Sequence, residues 1–385
     1  MSDGEITIHG TCAPSFEPVR AAFAANFAER DEIGASAAVV AGGEVVANLW
    51  AGWADPARTT PWQEDTLTNV WSTTKAMTSL CAHILIDRGE LDPDAPVARY
   101  WPEFAAGGKA DIPVRWIMGH QSGLTGLTQP LTVQDYYDWE KITTLLAAQE
   151  PLFEPGSTSG YQPMTFGFLV GEVIRRITGQ TCGVFFGSEI AGPLGADFHI
   201  GLPATELGRC SQMQGVRPSE DEQSAMTKAY ANAHPAALAA LLNPPLVGDE
   251  ANEDDWRIAE LPAANGHGTA LGLVTVFATL VDGSERLISA KTLQAARTGQ
   301  GRHDDLVLGF PVSFGLGFAL SGPEGHFGPN PAAFGHDGFG GSAVGADPEA
   351  GFAFAYVMNR MGMTLVNDPR KKALVDAVHE SLGLG

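Results

Sequence analysis

The tetrapeptide Ser72-Thr73-Thr74-Lys75 places a hydroxyl and an amine three residues apart. Apolar residues follow it at helical spacing, so the sequence predicts a helix over 72–88, with Gly89 where a C-terminal cap belongs. Residues at i and i+3 share one face of a helix, so the amine can reach the hydroxyl. A serine deprotonated in this way is a nucleophile for acyl transfer, and free N–H groups at the helix start favour the negative charge that develops beside it.

This pattern is weak when it stands alone. Lys75 can act as a base only if its pKa is lowered, and burial beside the apolar helix would lower it. A serine helix cap followed by a solvent-facing lysine would give the same tetrapeptide. The sequence contains no G-x-S-x-G, no H-E-x-x-H and no phosphate-binding loop, and its ten histidines are scattered singly. We therefore expect no metal site and no organic cofactor.

The flanking sequence is more specific. The segments 66–91 (TLTNVWSTTKAMTSLCAHILIDRGEL) and 120–124 (HQSGL) closely resemble the serine β-lactamase and penicillin-binding-protein superfamily. Within it, the chain is most similar to the class C β-lactamase-type esterases, the family VIII carboxylesterases. The resemblance covers nearly the whole chain, and it implies that Ser72 is the nucleophile and Lys75 its catalytic partner.

A tyrosine segment is the second element of the resemblance. Residues 154–161 (EPGSTSGY) match the family's segment, and Tyr161 precedes a helix predicted over 164–177. The resemblance implies that Tyr161 is the catalytic tyrosine. A phenol has a pKa near ~10, and a neighbouring Lys75 ammonium would lower it, which would make a phenolate base available. Without the family context, a partly buried loop tyrosine would be the ordinary interpretation.

The third element is a strand triplet, which is usually K-T-G in this family. His336-Asp337-Gly338 aligns with this triplet and is followed by Phe339. The resemblance implies an oxyanion hole made by the main-chain N–H groups of Ser72 and Phe339, with His336 and Gly338 beside the substrate. Glycine next to a strand lets a substrate approach the backbone closely.

Two departures from the family pattern bear on the substrate. Pro163 stands where the family's Y-x-N has asparagine, so the side-chain amide that holds an amide substrate is missing. His336 replaces lysine, and a histidine that titrates near ~6.5 would bind a substrate carboxylate more weakly at neutral pH. Both departures weaken the case for hydrolysis of β-lactams or peptides.

The remaining pattern predicts strands at both ends of the chain and helices between them. Gly42-Gly43 joins two apolar runs into a hairpin over 35–51. The sequence also predicts helices over 16–32 and 369–382, strands over 312–320, 340–346 and 351–359, and a solvated acidic loop over 250–256.

Because an isolated hairpin is marginally stable, we expect the strands of both ends to form one sheet. The predicted fold class is α/β (α+β), with an antiparallel sheet covered by helices and a mostly helical lobe, as in β-lactamases and transpeptidases. The predicted domains are a discontinuous sheet domain (1–75 and 260–385) and a helical domain with active-site loops (76–259).

Composition limits the partners. The 385 residues carry 23 basic and 45 acidic side chains, a net charge of −22, which disfavours nucleic acid and anionic membrane surfaces. The N-terminus lacks signal-peptide features, no apolar run approaches ~18 residues, and the four cysteines form no C-x-x-C. We therefore expect a cytoplasmic protein with reduced cysteines that acts on a small molecule.

Together these observations predict a serine hydrolase that cleaves short-chain carboxylic esters through an acyl-enzyme on Ser72. Two enzymatic alternatives use the same machinery, namely a β-lactamase and a D-amino-acid amidase or peptidase. An alternative of another class is a catalytically silent, penicillin-binding-protein-like binding protein.

Overall fold

A computed structural model describes residues 6–323 and 325–384 of the chain. The strands are β1 (His9–Cys12), β2 (Gly34–Ala41), β3 (Glu44–Gly52), β4 (Thr68–Asn69), β5 (Phe198–Ile200), β6 (Gly266–Gly268), β7 (Arg302–Asp304), β8 (Pro311–Ser313), β9 (Ala319–Leu320), β10 (Phe334–Asp337), β11 (Ala343–Asp347) and β12 (Phe352–Met358). The helices are α1 (Glu17–Glu29), α2 (Thr74–Asp87), α3 (Val114–Met118), α4 (Trp139–Ala148), α5 (Thr165–Thr178), α6 (Cys182–Phe186), α7 (Gly192–Leu194), α8 (Glu220–Ala231), α9 (Pro235–Leu241), α10 (Asp254–Ile258), α11 (Ala270–Ala278), α12 (Ala290–Ala296) and α13 (Pro369–Ser381).

The main sheet is antiparallel and takes its strands from both ends of the chain. Its order is β1-β3-β2-β12-β11-β10-β9, so β2 pairs with β12 near the C-terminus. The β2–β3 hairpin turns at Gly42 and Gly43, whose φ angles of 59° and 82° suit a two-residue turn. The predicted hairpin and the predicted α/β (α+β) fold are confirmed.

Helices cover the centre of this sheet. Helix α11 packs across β2, β11 and β12, while α1 packs against β3 and α13. Every residue of β12, and all of β2 except its last residue, is buried. Because consecutive strand residues point to opposite faces, both faces of these strands are covered. The long helices predicted from the sequence are present as α1, α2, α5 and α13.

Helix α2 is the element that positions the chemistry. Its residues from Thr74 to Leu85 are all buried, and it packs against α5, α6 and α12. Strand β4, which precedes α2 in the chain, belongs to a second small sheet in the order β4-β6-β5. Every helix within the described ranges is too short or too polar to cross a bilayer. The division into domains 1–75 with 260–385, and 76–259, stays a prediction.

The single strand predicted over 312–320 is wrong. The segment forms β8 and β9, which are separated by a turn that contains Gly317 at φ 80°. A Cβ on Gly317 would lie 2.1 Å from Ser79 Oγ of helix α2. The glycine therefore lets the turn pack against α2. Strand propensity describes local preference only, so it does not predict this tertiary contact.

The strand predicted over 340–346 begins later, at Ala343. Gly340 and Gly341 have φ angles of 91° and 128°, so they turn the chain before β11 starts. The strand predicted over 351–359 is present as β12.

The acidic loop predicted over 250–256 is also wrong. This segment forms a short 3-10 helix (Asp249–Asn252) and helix α10. Trp256 is fully buried, and its indole N–H donates to Asn69 Oδ1 at 3.0 Å. Burial of one large aromatic side chain outweighs the local preference of the acidic residues for solvent.

Candidate active site

Ser72 lies in a single 3-10 turn, Trp71–Thr73, between β4 and α2. Trp71 has φ 48°, in the left-handed region that bulky residues rarely adopt, so the turn is strained where it presents the serine. The buried Trp71 indole packs against Trp256 and Phe339, with ring centroids 5.3 and 5.7 Å apart. This aromatic packing holds the turn in place.

Lys75 lies one helical turn beyond Ser72 and is fully buried. Its Nζ lies 2.9 Å from Ser72 Oγ, 2.8 Å from the Pro163 carbonyl oxygen and 3.0 Å from the Ala263 carbonyl oxygen. Burial holds the pKa of Lys75 well below its ordinary value, which favours the neutral amine. A neutral amine has two N–H bonds for the two carbonyls and keeps its lone pair for the Ser72 proton.

Tyr161 lies just before α5, and its ring faces the Ser72–Lys75 pair. The Lys75 Nζ is 5.0 Å from the Tyr161 ring centroid. The rings of His120 and Phe314 pack against the phenol at centroid distances of 4.8 and 6.0 Å. The structure thus brings together the three predicted catalytic side chains, which are separated by up to 89 positions in the sequence.

The expectation that Lys75 lowers the pKa of Tyr161 is wrong. Burial raises the pKa of the Tyr161 phenol, and an interaction with the Ser72 hydroxyl offsets only part of this rise. The reason is that the same burial favours neutral Lys75, which then supplies no positive charge. Tyr161 is therefore a neutral phenol that can donate a hydrogen bond.

The main-chain amides of Ser72 and Phe339 are the donors predicted for the oxyanion hole. Neither N–H donates a hydrogen bond to any residue within 6–323 or 325–384. Gly338 lets the two segments meet, because a Cβ there would lie 2.3 Å from the Val70 carbonyl oxygen and 2.1 Å from Ser342 Oγ. Ser72 and Phe339 line the same cleft, and an oxyanion hole formed by their two amides stays a prediction.

His336 is buried at the wall of the same cleft, and the expectation that it titrates near ~6.5 is wrong. Burial lowers its pKa to about 3. Its Nδ1 lies 2.6 Å from the Asp337 carbonyl oxygen, so Nδ1 carries the proton of the neutral ring. Its Nε2 has no hydrogen-bond partner among the described residues, and it is an acceptor.

The neighbouring carboxylate is engaged elsewhere. Asp337 forms an ion pair at 2.9 Å with Lys371, a fully buried cation of helix α13. The Lys371 ammonium also donates to the His326 carbonyl oxygen and lies 5.0 Å from the Phe327 ring centroid. These contacts fix β10 against α13, so they stabilise the strand that carries His336.

A cleft opens beside Ser72 and Tyr161. His336, Asp337 and Ser313 contribute its polar wall. Most of the remaining wall is apolar and includes Leu308, Val312, Phe314, Leu320, Phe339 and Leu365. A mostly apolar cleft with a few polar groups suits a small ligand that has an apolar part.

A family model described as Beta-lactamase matches residues 19–378, nearly the whole chain. This chain belongs to the beta-lactamase family. The superfamily resemblance carried by the sequence motifs is thereby confirmed.

Relatives within the family include esterases. The chain is 36% identical over 369 residues to the Esterase/beta-lactamase LipL of Mycobacterium tuberculosis, covering 93% of this chain and 84% of that protein. The crystal structure of a family VIII carboxylesterase is similar at 41% identity and a TM-score of 0.91, covering 98% of this chain and 100% of the other. A penicillin-binding protein homologue from Caulobacter crescentus is similar at 38% identity and a TM-score of 0.88, covering 97% and 100% of the two chains.

One buried side chain near the site was missed by the sequence analysis. Asp305 is only 2% exposed, and its carboxylate accepts hydrogen bonds from the Tyr161 amide and the Ser159 hydroxyl. It follows Asp304 in a short polar segment, 302–305 (RHDD), that looks like ordinary solvated surface. Its bonds to the Val307 and Leu308 amides are those of any aspartate in a turn, and the partners that tie it to the site lie more than 140 positions earlier in the chain.

Proposed function

We propose that this protein is a serine carboxylesterase that hydrolyses short-chain carboxylic esters through an acyl-enzyme on Ser72. The observation that carries the proposal is the 2.9 Å contact between Lys75 Nζ and Ser72 Oγ, with the two N–H bonds of the amine directed to main-chain carbonyls. That arrangement leaves the lone pair of the amine for the serine proton. It supplies an activated nucleophile without a metal or an organic cofactor.

Acylation begins when the Lys75 amine takes the Ser72 proton as Oγ attacks the ester carbonyl carbon. The resulting oxyanion accepts hydrogen bonds from the amides of Ser72 and Phe339, each worth about 10²–10³ in rate. As the tetrahedral intermediate collapses, the bond to the alcohol oxygen breaks. The proton held by Lys75 reaches that oxygen through the neutral Tyr161 phenol, which donates its own proton and takes the one from Lys75.

Deacylation repeats these steps with water in place of the alcohol. Water attacks the acyl carbon and gives up a proton through Tyr161 to Lys75. The carbonyl oxygen again becomes an oxyanion and accepts hydrogen bonds from the same two amides. The acid then leaves as the Ser72–acyl bond breaks, and Ser72 recovers its proton. Proton acceptance by Lys75 rather than by a phenolate follows from the raised pKa of Tyr161.

The cavity supports a neutral ester as substrate. Its apolar wall suits a short acyl chain, and His336 beside it is neutral at physiological pH and offers an acceptor. A substrate carboxylate would meet no positive charge from His336. The relatives named as esterases support the esterase assignment. Within this proposal, His336, Gly338 and Phe339 are the residues on the substrate side of the cleft.

A parallel assay tests the proposal against its alternatives. A 4-nitrophenyl butyrate ester, a chromogenic cephalosporin and a D-alanyl amide are incubated with the protein and with Ser72→Ala. We expect fast, Ser72-dependent turnover of the ester and at most slow turnover of the other two. Preferred turnover of the cephalosporin or the amide would contradict the proposal, and inertness towards all three would support a silent binding protein.

A further inference from the structure

Asp305 lies in the turn of a hairpin, β7–β8, that forms one wall of the cavity. Its carboxylate is buried and accepts hydrogen bonds at both oxygens. Oδ1 accepts from the amides of Tyr161, Val307 and Leu308 at 3.0, 2.9 and 3.0 Å. Oδ2 accepts from Ser159 Oγ at 2.8 Å. One carboxylate thus joins the segment before α5 to the hairpin turn. Its hydrogen bonds are charge-assisted, and such bonds are stronger than hydrogen bonds between neutral groups.

The two joined segments have different tasks at the site. The first carries Tyr161, whose phenol faces Ser72, and the second carries Leu308, which lines the cavity. A backbone bond from the Leu306 amide to the Ser159 carbonyl oxygen, at 3.0 Å, runs beside the Asp305 contacts. The same hairpin continues to Phe314, whose ring stacks on Tyr161 at an interplanar angle of 13°.

We propose that Asp305 is a positioning residue for Tyr161, holding the main chain of the tyrosine against the cavity wall so that the phenol stays within reach of the Ser72 oxygen. The proposal rests on the proposed function, in which Tyr161 transfers the proton. Asp305 touches neither the substrate nor the reacting atoms, so it acts through Tyr161. A displacement of about 1 Å at a reacting group can cost about 100-fold in rate.

The variants Asp305→Ala and Asp305→Asn separate geometry from charge. Alanine leaves three buried amides and one hydroxyl without their acceptor, so we expect kcat to fall about 100-fold. Asparagine keeps a carbonyl oxygen for the three amides, and its amide can donate to Ser159 Oγ, so we expect kcat within about 5-fold of the parent. In both variants we expect KM for a short ester to change less than kcat, because the apolar wall remains.

Ser159→Ala is the matched control. It removes one hydrogen bond to the same carboxylate and leaves the Tyr161 amide bonded to Oδ1. We expect a loss in kcat of less than about 3-fold, the small effect of one hydrogen bond that does not hold the tyrosine. All rates are expressed per site labelled by a fluorophosphonate, so that unfolded protein does not count.

A double-mutant cycle with Tyr161→Phe decides whether Asp305 acts through the tyrosine. If it does, Asp305→Ala costs about 100-fold in the parent but less than about 3-fold when the phenol hydroxyl is already absent. Equal losses in both backgrounds would overturn the proposal, and so would an Asp305→Asn variant as slow as Asp305→Ala. Full activity of Tyr161→Phe would instead contradict the proposed function, so the two failures are distinguishable.

Two substitutes keep the cycle measurable. Where Asp305→Ala does not fold, Asp305→Ser takes its place, because the shorter serine side chain cannot span the same four partners. Where turnover by Tyr161→Phe is below detection, the rate of Ser72 labelling by the fluorophosphonate replaces kcat, with the same expected pattern of losses.

Discussion

Lys75 Nζ lies 2.9 Å from Ser72 Oγ, in a fully buried position beneath two main-chain carbonyls. Burial and the carbonyl contacts act in the same direction, since burial disfavours the charged form and the carbonyls accept both N–H bonds of the neutral one. The amine is therefore prepared to receive a proton before a substrate arrives.

Lys75→Met should abolish most of the esterase activity. Methionine fills a similar volume but cannot accept the Ser72 proton, and loss of a general base costs about 10²–10⁴ in rate. Turnover of 4-nitrophenyl butyrate per folded protein is the measurement.

Lys109→Met is the matched control for this variant. Lys109 is also fully buried, and its Nζ donates to the carbonyl oxygens of Ala106 and Ala147, away from the active site. We expect Lys109→Met to lower stability while kcat changes less than about 3-fold. A Lys75→Met enzyme as active as Lys109→Met would refute the role of Lys75.

Lys75→Met should also change how stability depends on pH. The pKa of Lys75 is lowered in the folded protein, so the unfolded chain binds a proton that the folded one does not. The free energy of unfolding of the parent therefore falls as pH decreases below the unfolded value of ~10.4, down to the lowered folded pKa.

Chemical denaturation near pH ~10 and pH ~7 measures this effect. The stability of Lys75→Met relative to the parent should be greater at the lower pH, because the variant has no proton to release on folding. A relative stability that is the same at both values would mean that Lys75 folds in its charged form.

Gly338→Ala should disrupt the oxyanion hole. The added Cβ would lie 2.3 Å from the Val70 carbonyl oxygen, so the segment after β10 that carries Phe339 must move away from the turn that carries Ser72. We expect kcat to fall about 10²–10³-fold, as for loss of one oxyanion donor. Gly208→Ala is the control, because that glycine is exposed and an added methyl group there would meet no atom within 4 Å. Comparable activity of the two variants would contradict the assignment.

Neutral His336 has consequences at low pH. Its pKa is about 3 in the folded protein and ~6.5 in the unfolded chain, so the unfolded chain binds the extra proton between these values. The parent should therefore lose stability as the pH falls from ~6.5 towards ~3. We expect this loss to be smaller in His336→Gln than in the control variant His9→Gln, whose histidine lies in the exposed strand β1. Urea unfolding at several pH values is the measurement, and identical pH dependence in both variants would show that His336 folds protonated.

The sequence predicted the side chains of the site better than their ionisation states. Ser72, Lys75 and Tyr161 could be predicted because each stands in a contiguous motif, and the sheet could be predicted because strand patterns occur at both chain ends. The protonation states of Tyr161 and His336 depend on burial by residues distant in the sequence, and no motif encodes that burial.

Long-range contacts also explain the other differences. Trp256 lies in an acidic stretch, yet it packs beneath Trp71, and this contact turns a predicted loop into α10. Asp305 looks like an ordinary surface acid until the chain folds and its partners surround it. The structural role of each residue depends on tertiary contacts, which the local periodicity of the sequence does not predict.

The most direct measurement is the intact mass of the protein after incubation with a fluorophosphonate, with the modified peptide mapped. We predict one adduct per chain, located on Ser72, and neither adduct nor ester turnover in Ser72→Ala. An adduct on another residue, or a Ser72→Ala enzyme that keeps most of its turnover, would contradict the central claim.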